Sequence, residues 1–192
     1  MLFRSALAES LRRAGVRRAV CDRTFPAIFA HHLAAAGVAL RCEPSLFIAD
    51  RRAKDDQEIA AMRESQAVTE RAIELACRLV ARAGASADGT LMHEGHALTS
   101  ERVRGEIDAF LARAGFDNPR SIVAGGPQGG DCHHDGSGAL RTGEPVIIDV
   151  FPRSKSSGYW GDCTRCVVHG AVPPKVARMH QAVVKAKAAA IA

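Results

Sequence analysis

Two apolar runs late in the sequence constrain the fold more than any other feature. Val146–Phe151 and Tyr159–Val168 both have strand-like composition, and Pro152–Gly158 between them is rich in Pro, Ser and Gly. A parallel pair would need a crossover of a dozen or more residues, so this short connection predicts an antiparallel hairpin. A third strand is expected at Ser121–Ala124, followed by the glycine-rich loop Gly125–Gly130.

Helical periodicity describes much of the remaining sequence. Apolar residues recur at three- and four-residue steps over Lys54–Ala83, which predicts a long helix. A polar connector, Gly84–Gly95, follows it. Thr99 is a candidate N-cap for another helix that ends at Gly115, and a final helix opens at Pro173-Pro174 and runs to the last residue. Helices combined with an antiparallel hairpin indicate a mixed α+β fold.

Residues 1–50 show an alternation of helix, strand, helix and strand. The first helix is indicated by an apolar stripe of Leu2, Ala6, Leu7 and Leu11. A short apolar run, Arg18–Cys21, follows it. The second helix is expected over Phe25–Ala36, where Gly37 ends it. So short a segment buries too little surface to make a stable domain by itself.

The composition is that of a globular protein. With 192 residues, 47% hydrophobic and 24% charged, the chain is expected to form one domain, or one domain with a fragment beside it. Disordered, collagen-like and coiled-coil classes are excluded. Apolar stretches are far shorter than the roughly 20 residues that span a bilayer, and no cleavable signal opens the chain, so we expect no membrane role and a cytoplasmic location.

The net charge of +5 and the pI near 9.1 raise the question of nucleic acid binding. The arginines are dispersed along the whole chain, and only one Tyr and one Trp could stack on bases. A basic groove with aromatic platforms is therefore not formed, and we expect no nucleic acid partner.

Asp149 ends a buried apolar strand, where an unpaired carboxylate is costly. Asp162 lies on the other arm of the predicted hairpin. If the arms pair about a turn near Lys155 and Ser156, the two aspartates lie directly opposite each other, and such side chains approach within about 5 Å.

Two carboxylates at that distance repel, so either one is protonated or a cation lies between them. Oxygen ligands of this kind suit Mn, Fe, Co or Zn in a hydrolytic site, where the metal activates water and polarises a carbonyl. In the alternative, both residues cap turns or pair with Arg153 and Arg165, and the pattern alone favours neither reading.

Two other clusters could carry chemistry. His133 and His134 follow a glycine-rich loop, and a histidine pair in a loop is more often solvated than catalytic. Cys163 and Cys166 have a Cys-x-x-Cys spacing, but residues three apart on a strand face opposite sides and cannot share one ion. We interpret the six cysteines as free thiols.

The hairpin sequence resembles that of the M24 metallopeptidases, the group of methionine aminopeptidase, prolidase and Xaa-Pro aminopeptidase. The similarity is most specific over Gly143–Asp149 and Gly158–Arg165. Upstream features agree in order over residues 40–192; they are Arg51–Glu58, Thr99–Gly115, Ile122–Pro127 and Asp131–His133.

The resemblance implies the pita-bread fold and a site of two divalent metal ions. By it, Asp149 and Asp162 are the first two of five metal ligands. His133 is a catalytic residue beside the metals, where it interacts with the peptide substrate or the tetrahedral intermediate. Thr164 and Arg165 match residues that buttress the hairpin. His134 is given no chemical role.

This sequence departs from the family pattern after the hairpin. A second half of the fold supplies a histidine and two glutamates, but no glutamate follows Glu144, and neither His169 nor His180 has the family's strand context. We therefore expect residues 51–192 to be the first half of the catalytic domain, and residues 1–50 to be a remnant of an N-terminal domain of prolidase type.

The resemblance implies the function of an Xaa-Pro aminopeptidase or dipeptidase. We expect this chain to be inactive alone, and a homodimer is a possible assembly. Two alternatives stay open: a non-catalytic relative that binds proteins, and a creatinase-like amidine hydrolase that needs no metal.

Overall fold

A computed structural model describes residues 2–191, with side chains from residue 6 onward. The chain divides into two compact units, Met1–Asp56 and Gln57–Ala192. No helix within this described range is long and apolar enough to cross a membrane.

The first unit confirms the alternation expected for the N-terminal segment. Helix α1 spans Leu2–Arg13, β1 Arg18–Cys21, α2 Ala27–Ala35, β2 Ala39–Cys42 and α3 Ile48–Arg52. Strands β1 and β2 are parallel and joined through α2, and Leu33 and Val38 are buried within the unit. The left-handed Gly37, with φ of 78°, ends the α2 segment as predicted.

The long predicted helix is confirmed as α4, Asp56–Arg82. Its buried residues recur at three- and four-residue steps, so they form one stripe: Ser65, Val68, Thr69, Ala72, Ile73, Ala76 and Val80. Helix α5, Ser100–Arg113, adds Val103, Ile107 and Leu111 to the same core. Thr99 caps α5 as predicted, because its side chain accepts a hydrogen bond from the Arg102 amide at 3.2 Å.

All three predicted strands are present in one antiparallel sheet. Strand β7 spans Ser121–Gly125, β8 Pro145–Val150 and β10 Cys163–Val168, in the order β10-β8-β7. Val146, Ile148 and Val150 of β8 are buried in the core with residues of α4 and α5. The alternating residues Ile147 and Asp149 are half-buried and therefore belong to the opposite face.

Several short elements complete the second unit. The segment expected as a polar connector forms part of a small sheet, with β3 at Gly84–Ala85, β4 at Leu91–His93 and β5 at His96–Ala97. Strands this short lack a periodic signal. A 3₁₀ helix, Gly126–Gly130, occupies the glycine-rich loop.

Two short strands and the last helix are the remaining elements of the second unit. Strand β6 at Phe116–Asp117 pairs with β9 at Arg153–Ser154. Helix α6, Pro174–Ile191, confirms the final helix up to residue 191, while its expected last residue, Ala192, lies outside the described residues.

The hairpin turns one residue later than the sequence suggested. Ser154 accepts a backbone hydrogen bond from Gly158 and donates one to Tyr159, so the turn lies between them. Gly158 has φ of 74°, a left-handed conformation that glycine adopts without strain. Because the turn moves by one residue, pairing moves by two: Asp149 faces Thr164.

Helix α4 holds the tip of this hairpin. A Cβ at Gly161 would lie 2.5 Å from the Ser65 carbonyl oxygen and closer still to Thr69 Oγ1, so the backbone there packs directly on the helix. Ser65 Oγ donates to the Tyr159 carbonyl at 3.2 Å, and the Tyr159 hydroxyl donates to Glu58. The hairpin and the helix therefore form one unit.

The Gly161→Ala substitution is expected to destabilise the second unit by about 1–3 kcal/mol, because an added methyl must displace either strand or helix backbone. Urea unfolding followed by the fluorescence of Trp160, the single tryptophan of the chain, measures this change at the hairpin itself.

Gly105→Ala is the matched control. Gly105 lies in α5 with nothing within 4 Å of an added Cβ, so alanine should stabilise the protein by about 0.5–1 kcal/mol. Equal effects of the two substitutions would show that Gly161 does not pack closely on α4.

Candidate metal and substrate site

Asp149 lies on β8, on the sheet face opposite the core. The hydroxyl of Thr164, its register partner on β10, donates to Asp149 Oδ1 at 2.6 Å. This hydrogen bond fixes one carboxylate oxygen and leaves Oδ2 without a partner among the described residues. Thr164 thus supports the hairpin aspartate as the family resemblance implied.

Asp162 comes directly after Gly161 and before the start of β10. Its backbone amide donates to Gln66 Oε1 of α4 at 3.1 Å. Its carboxylate has no hydrogen-bond or ion-pair partner within residues 2–191 and is exposed to solvent. The helix therefore holds the Asp162 backbone while the side chain stays free for a ligand.

The prediction that Asp149 and Asp162 lie directly opposite each other was wrong. Thr164 is the partner of Asp149, so Asp162 is displaced by two residues along the other arm. A shift of two residues preserves facing, and the burial of Gly161 and Cys163 on either side of the exposed Asp162 agrees with this. Asp162 comes two residues before the register partner of Asp149, and residues in that diagonal relation lie roughly 7–8 Å apart in a regular sheet.

The alternative of arginine pairing is not what the structure shows. Arg153 Nε donates to the Gly158 carbonyl, and the guanidinium lies 5.9 Å from the Trp160 ring centroid. Arg165 donates to the Thr164 carbonyl. Neither aspartate takes part in a salt bridge among the residues that the structure describes, so both negative charges are left for another cation.

His133 lies in an exposed loop held by hydrogen bonds to its backbone. Its amide donates to Asp131 Oδ1 at 2.9 Å, and its carbonyl accepts from Arg120 at 2.5 Å. The imidazole is exposed, and its Nδ1 lies 3.6 Å from Cys132 Sγ. No hydrogen bond connects it to Asp149 or Asp162 in the described part of the chain.

The residues just after His133 are structural. His134 Nδ1 accepts from the Gly136 amide at 2.9 Å. Gly136 has φ of 84°, and any Cβ there would collide with the Val123 carbonyl. The Val123 amide donates to the Asp135 carbonyl, so this loop runs along the outer edge of β7.

The loop approaches the same sheet face as Asp149. A Cβ at Gly129, in the 3₁₀ helix, would lie 3.0 Å from Ile147 Cγ1, and Ile147 shares its face with Asp149. His133 follows this helix closely in sequence. The 3₁₀ helix that precedes His133 therefore packs on the sheet face that carries Asp149.

A second set of ligand atoms is brought together near His133. One atom each from Asp131, Cys132 and His133 lie within 4.8 Å of one another, and all three residues are exposed. Exposed groups of this kind are common without an ion, and we assign no metal to this one. It contains neither of the two hairpin aspartates.

Two residue pairs have a spacing that metal ligands can have, Cys163 with Cys166 and His93 with His96, and both pairs lie on strands. Cys163 is buried while Cys166 is exposed, which confirms that they face opposite sides of β10. His93 and His96 pair across the tight turn between β4 and β5, so they are not on a helix.

The hairpin residues fit a divalent metal as part of a larger ligand set. Asp149 and Asp162 supply carboxylate oxygens, the donors that Mn and related hydrolytic metals accept. Metal sites of this kind have three or more protein ligands. Two aspartates are too few ligands for such a site by themselves.

Sequence reasoning missed the residues of α4 that position this site. Gln66 lies on a helix face, and no local pattern distinguishes it from other polar residues there. Ser65 and Thr69 are small polar residues in an apolar stripe, which is a weak signal that a backbone packs closely against the helix.

Comparison with known proteins supports the resemblance. Among solved structures, the X-Pro aminopeptidase from Thermotoga maritima matches with a TM-score of 0.74 and 20% identity, over 96% of this chain and 49% of that one. The prolidase from Pyrococcus horikoshii OT3 matches with a TM-score of 0.78 and 17% identity, over 99% and 51%. The Xaa-Pro dipeptidase from Bacillus anthracis gives 0.75 and 21%, over 97% and 49%.

These likenesses show the fold, and this chain spans about half the length of each solved chain. The mixed α+β architecture is that of the pita-bread fold, as predicted. A search of curated proteins gives no match. Residues 60–192 match the sequence profile of Metallopeptidase family M24. Because this match covers most of the chain, the protein belongs to metallopeptidase family M24.

Proposed function

We propose that this chain carries the first part of the active site of an aminopeptidase or dipeptidase that cleaves the N-terminal bond of Xaa-Pro peptides. The observation that carries the proposal is the pair Asp149 and Asp162, two carboxylates without a salt-bridge partner among the described residues, on a hairpin that helix α4 holds in place. Peptide substrates of this class are named for the similar solved structures.

The chemistry requires a pair of divalent metal ions of the Mn, Co, Zn or Fe type. When bound, they lower the pKa of water and polarise the peptide carbonyl. Asp149 and Asp162 would hold them. Thr164 keeps the Asp149 carboxylate in one orientation, and Gln66 keeps the Asp162 backbone in place.

His133 is the proposed substrate-binding residue of this chain. Its ring is exposed while its backbone is anchored on both sides, so the imidazole can approach a ligand without moving the loop. A neutral imidazole N–H donates a hydrogen bond to a peptide carbonyl oxygen and stabilises negative charge that develops there.

The remaining metal ligands are proposed to come from residues that follow position 192 in the complete enzyme. The matched solved chains are about twice as long as this one. Genomic sequence downstream of Ala192 should then encode a histidine and two glutamates in strand contexts.

The 192-residue chain alone is expected to release no N-terminal residue from an Xaa-Pro peptide in the presence of Mn²⁺ or Co²⁺. Two carboxylates make too few ligands to hold the metals tightly. Chromatographic detection of the free amino acid measures this. Turnover that Asp162→Asn abolishes would show that the other ligands are dispensable.

The substitutions Asp149→Asn and Asp162→Asn should each weaken the binding of Mn²⁺ by this chain at least about tenfold, since each removes one charged ligand. Electron paramagnetic resonance of free Mn²⁺ measures the bound fraction at high metal concentration.

Glu106→Gln removes an exposed carboxylate of α5 and is the matched control, for which the bound fraction should not change. If all three variants bind Mn²⁺ equally, the hairpin aspartates are not metal ligands, and a non-catalytic protein-binding role or a metal-free creatinase-like activity becomes the better proposal. The cytoplasmic location and the homodimer stay predictions.

A further inference from the structure

The first unit contains a pair of cysteines that are direct neighbours across two strands. Cys21 ends β1 and Cys42 ends β2, and the two residues are register partners in the parallel pair. Adjacent strands lie about 4.8 Å apart, and the Cα atoms of disulfide-bonded cysteines are usually about 4.4–6.8 Å apart. The spacing of paired strands therefore agrees with the Cα separation of a disulfide.

The two cysteine side chains also lie on the same face of the strand pair, because register partners on neighbouring strands point to the same side. Cys42 Sγ donates to the Asp22 carbonyl at 3.8 Å. Cys42 is exposed while Cys21 is half-buried. The Cys42 thiol can therefore meet a reagent from solvent while the Cys21 thiol stays partly shielded beside it.

The other cysteines of the chain lack this arrangement. Cys163 faces Val150 and Cys166 faces Ile147 across the sheet. Cys132 is exposed, with His133 beside its sulfur. Among the paired strands within residues 2–191, Cys21 and Cys42 are the one register pair made of two cysteines.

We propose that Cys21 and Cys42 form a redox modification site, which a low-molecular-weight disulfide of the glutathione type converts to an intramolecular disulfide. The site lies in the first unit, and it does not depend on the proposed peptidase function.

The reaction proceeds by two thiol–disulfide exchanges. Burial raises the pKa of the Cys21 thiol above the usual cysteine value, and the neighbouring Cys42 adds to this shift, so little of Cys21 is thiolate at neutral pH. The exposed Cys42 thiolate attacks glutathione disulfide, a Cys42–glutathione bond forms, and one glutathione thiolate leaves.

Cys21 then attacks Cys42 Sγ. The bond between Cys21 and Cys42 forms, the Cys42–glutathione bond breaks, and the second glutathione leaves and takes up the proton that Cys21 gives up. The two protein thiols are oxidised by two electrons, and glutathione disulfide is reduced to two glutathione molecules.

The new bond would close the loop that contains α2 without moving either strand. Because the strands are already paired in this register, the native state gains little strain, and the cross-link acts mainly on the unfolded chain. Oxidation is therefore expected to raise the unfolding temperature of the first unit, and a reducing dithiol should reverse it.

Treatment of the full 192-residue chain with oxidised glutathione, followed by alkylation of free thiols and tryptic mapping, tests the proposal. Cleavage after Arg18, Arg23, Arg41 and Arg51 places the two cysteines in separate peptides. We expect a disulfide between peptides 19–23 and 42–51, the loss of two of the six free thiols, and full reversal by dithiothreitol.

Single substitutions separate the two steps. Cys21→Ser should stop at the glutathione adduct of Cys42, because the second thiol is missing. Cys42→Ser should leave Cys21 largely unmodified. The control Cys132→Ser alters another exposed cysteine and should retain the cross-linked peptides.

Two results would overturn the proposal. One is a wild-type chain that accumulates the Cys42–glutathione adduct without forming the cross-link. The other is that oxidised glutathione cross-links Cys21 to Cys42 as selectively in concentrated urea as in buffer, because in urea the strands no longer hold the two thiols together.

Discussion

The close packing of the hairpin tip on helix α4 is the constraint on which the candidate site depends. Gly161 lies against the helix backbone where no side chain fits, and the Ser65 hydroxyl donates to the hairpin at the same place. This contact joins residues almost 100 positions apart in the sequence and fixes the position of the Asp162 backbone. A bulkier residue at 161 would move the carboxylate together with its strand.

Electrostatics explains why this arrangement suits a metal enzyme. Asp149 and Asp162 carry negative charge on one side of the sheet, and the nearby arginines bind backbone carbonyls instead. Their repulsion is tolerated because Asp162 is exposed and because the Thr164 hydroxyl stabilises Asp149. A divalent cation would remove the repulsion, which is the physical basis of the proposed function.

The same rules of strand pairing govern both units of the chain. In the second unit, register places a threonine against Asp149 and sets a diagonal relation between two carboxylates. In the first unit, register places Cys21 against Cys42. The sequence contained both sets of residues, but neither the diagonal aspartates nor the facing cysteines can be derived from spacing alone.

The sequence by itself determined the long helix α4, the cap at Thr99, the three main strands and the antiparallel pairing of the last two, because periodicity, capping and short connections are local signals. It also predicted Asp149 and Asp162 as a metal-binding pair, and this stays a prediction. Only the tertiary structure decided their register, since the position of the turn at Gly158 was ambiguous by one residue. The role of Gln66 was likewise decided by packing, because contact between distant segments leaves no periodic trace in the chain.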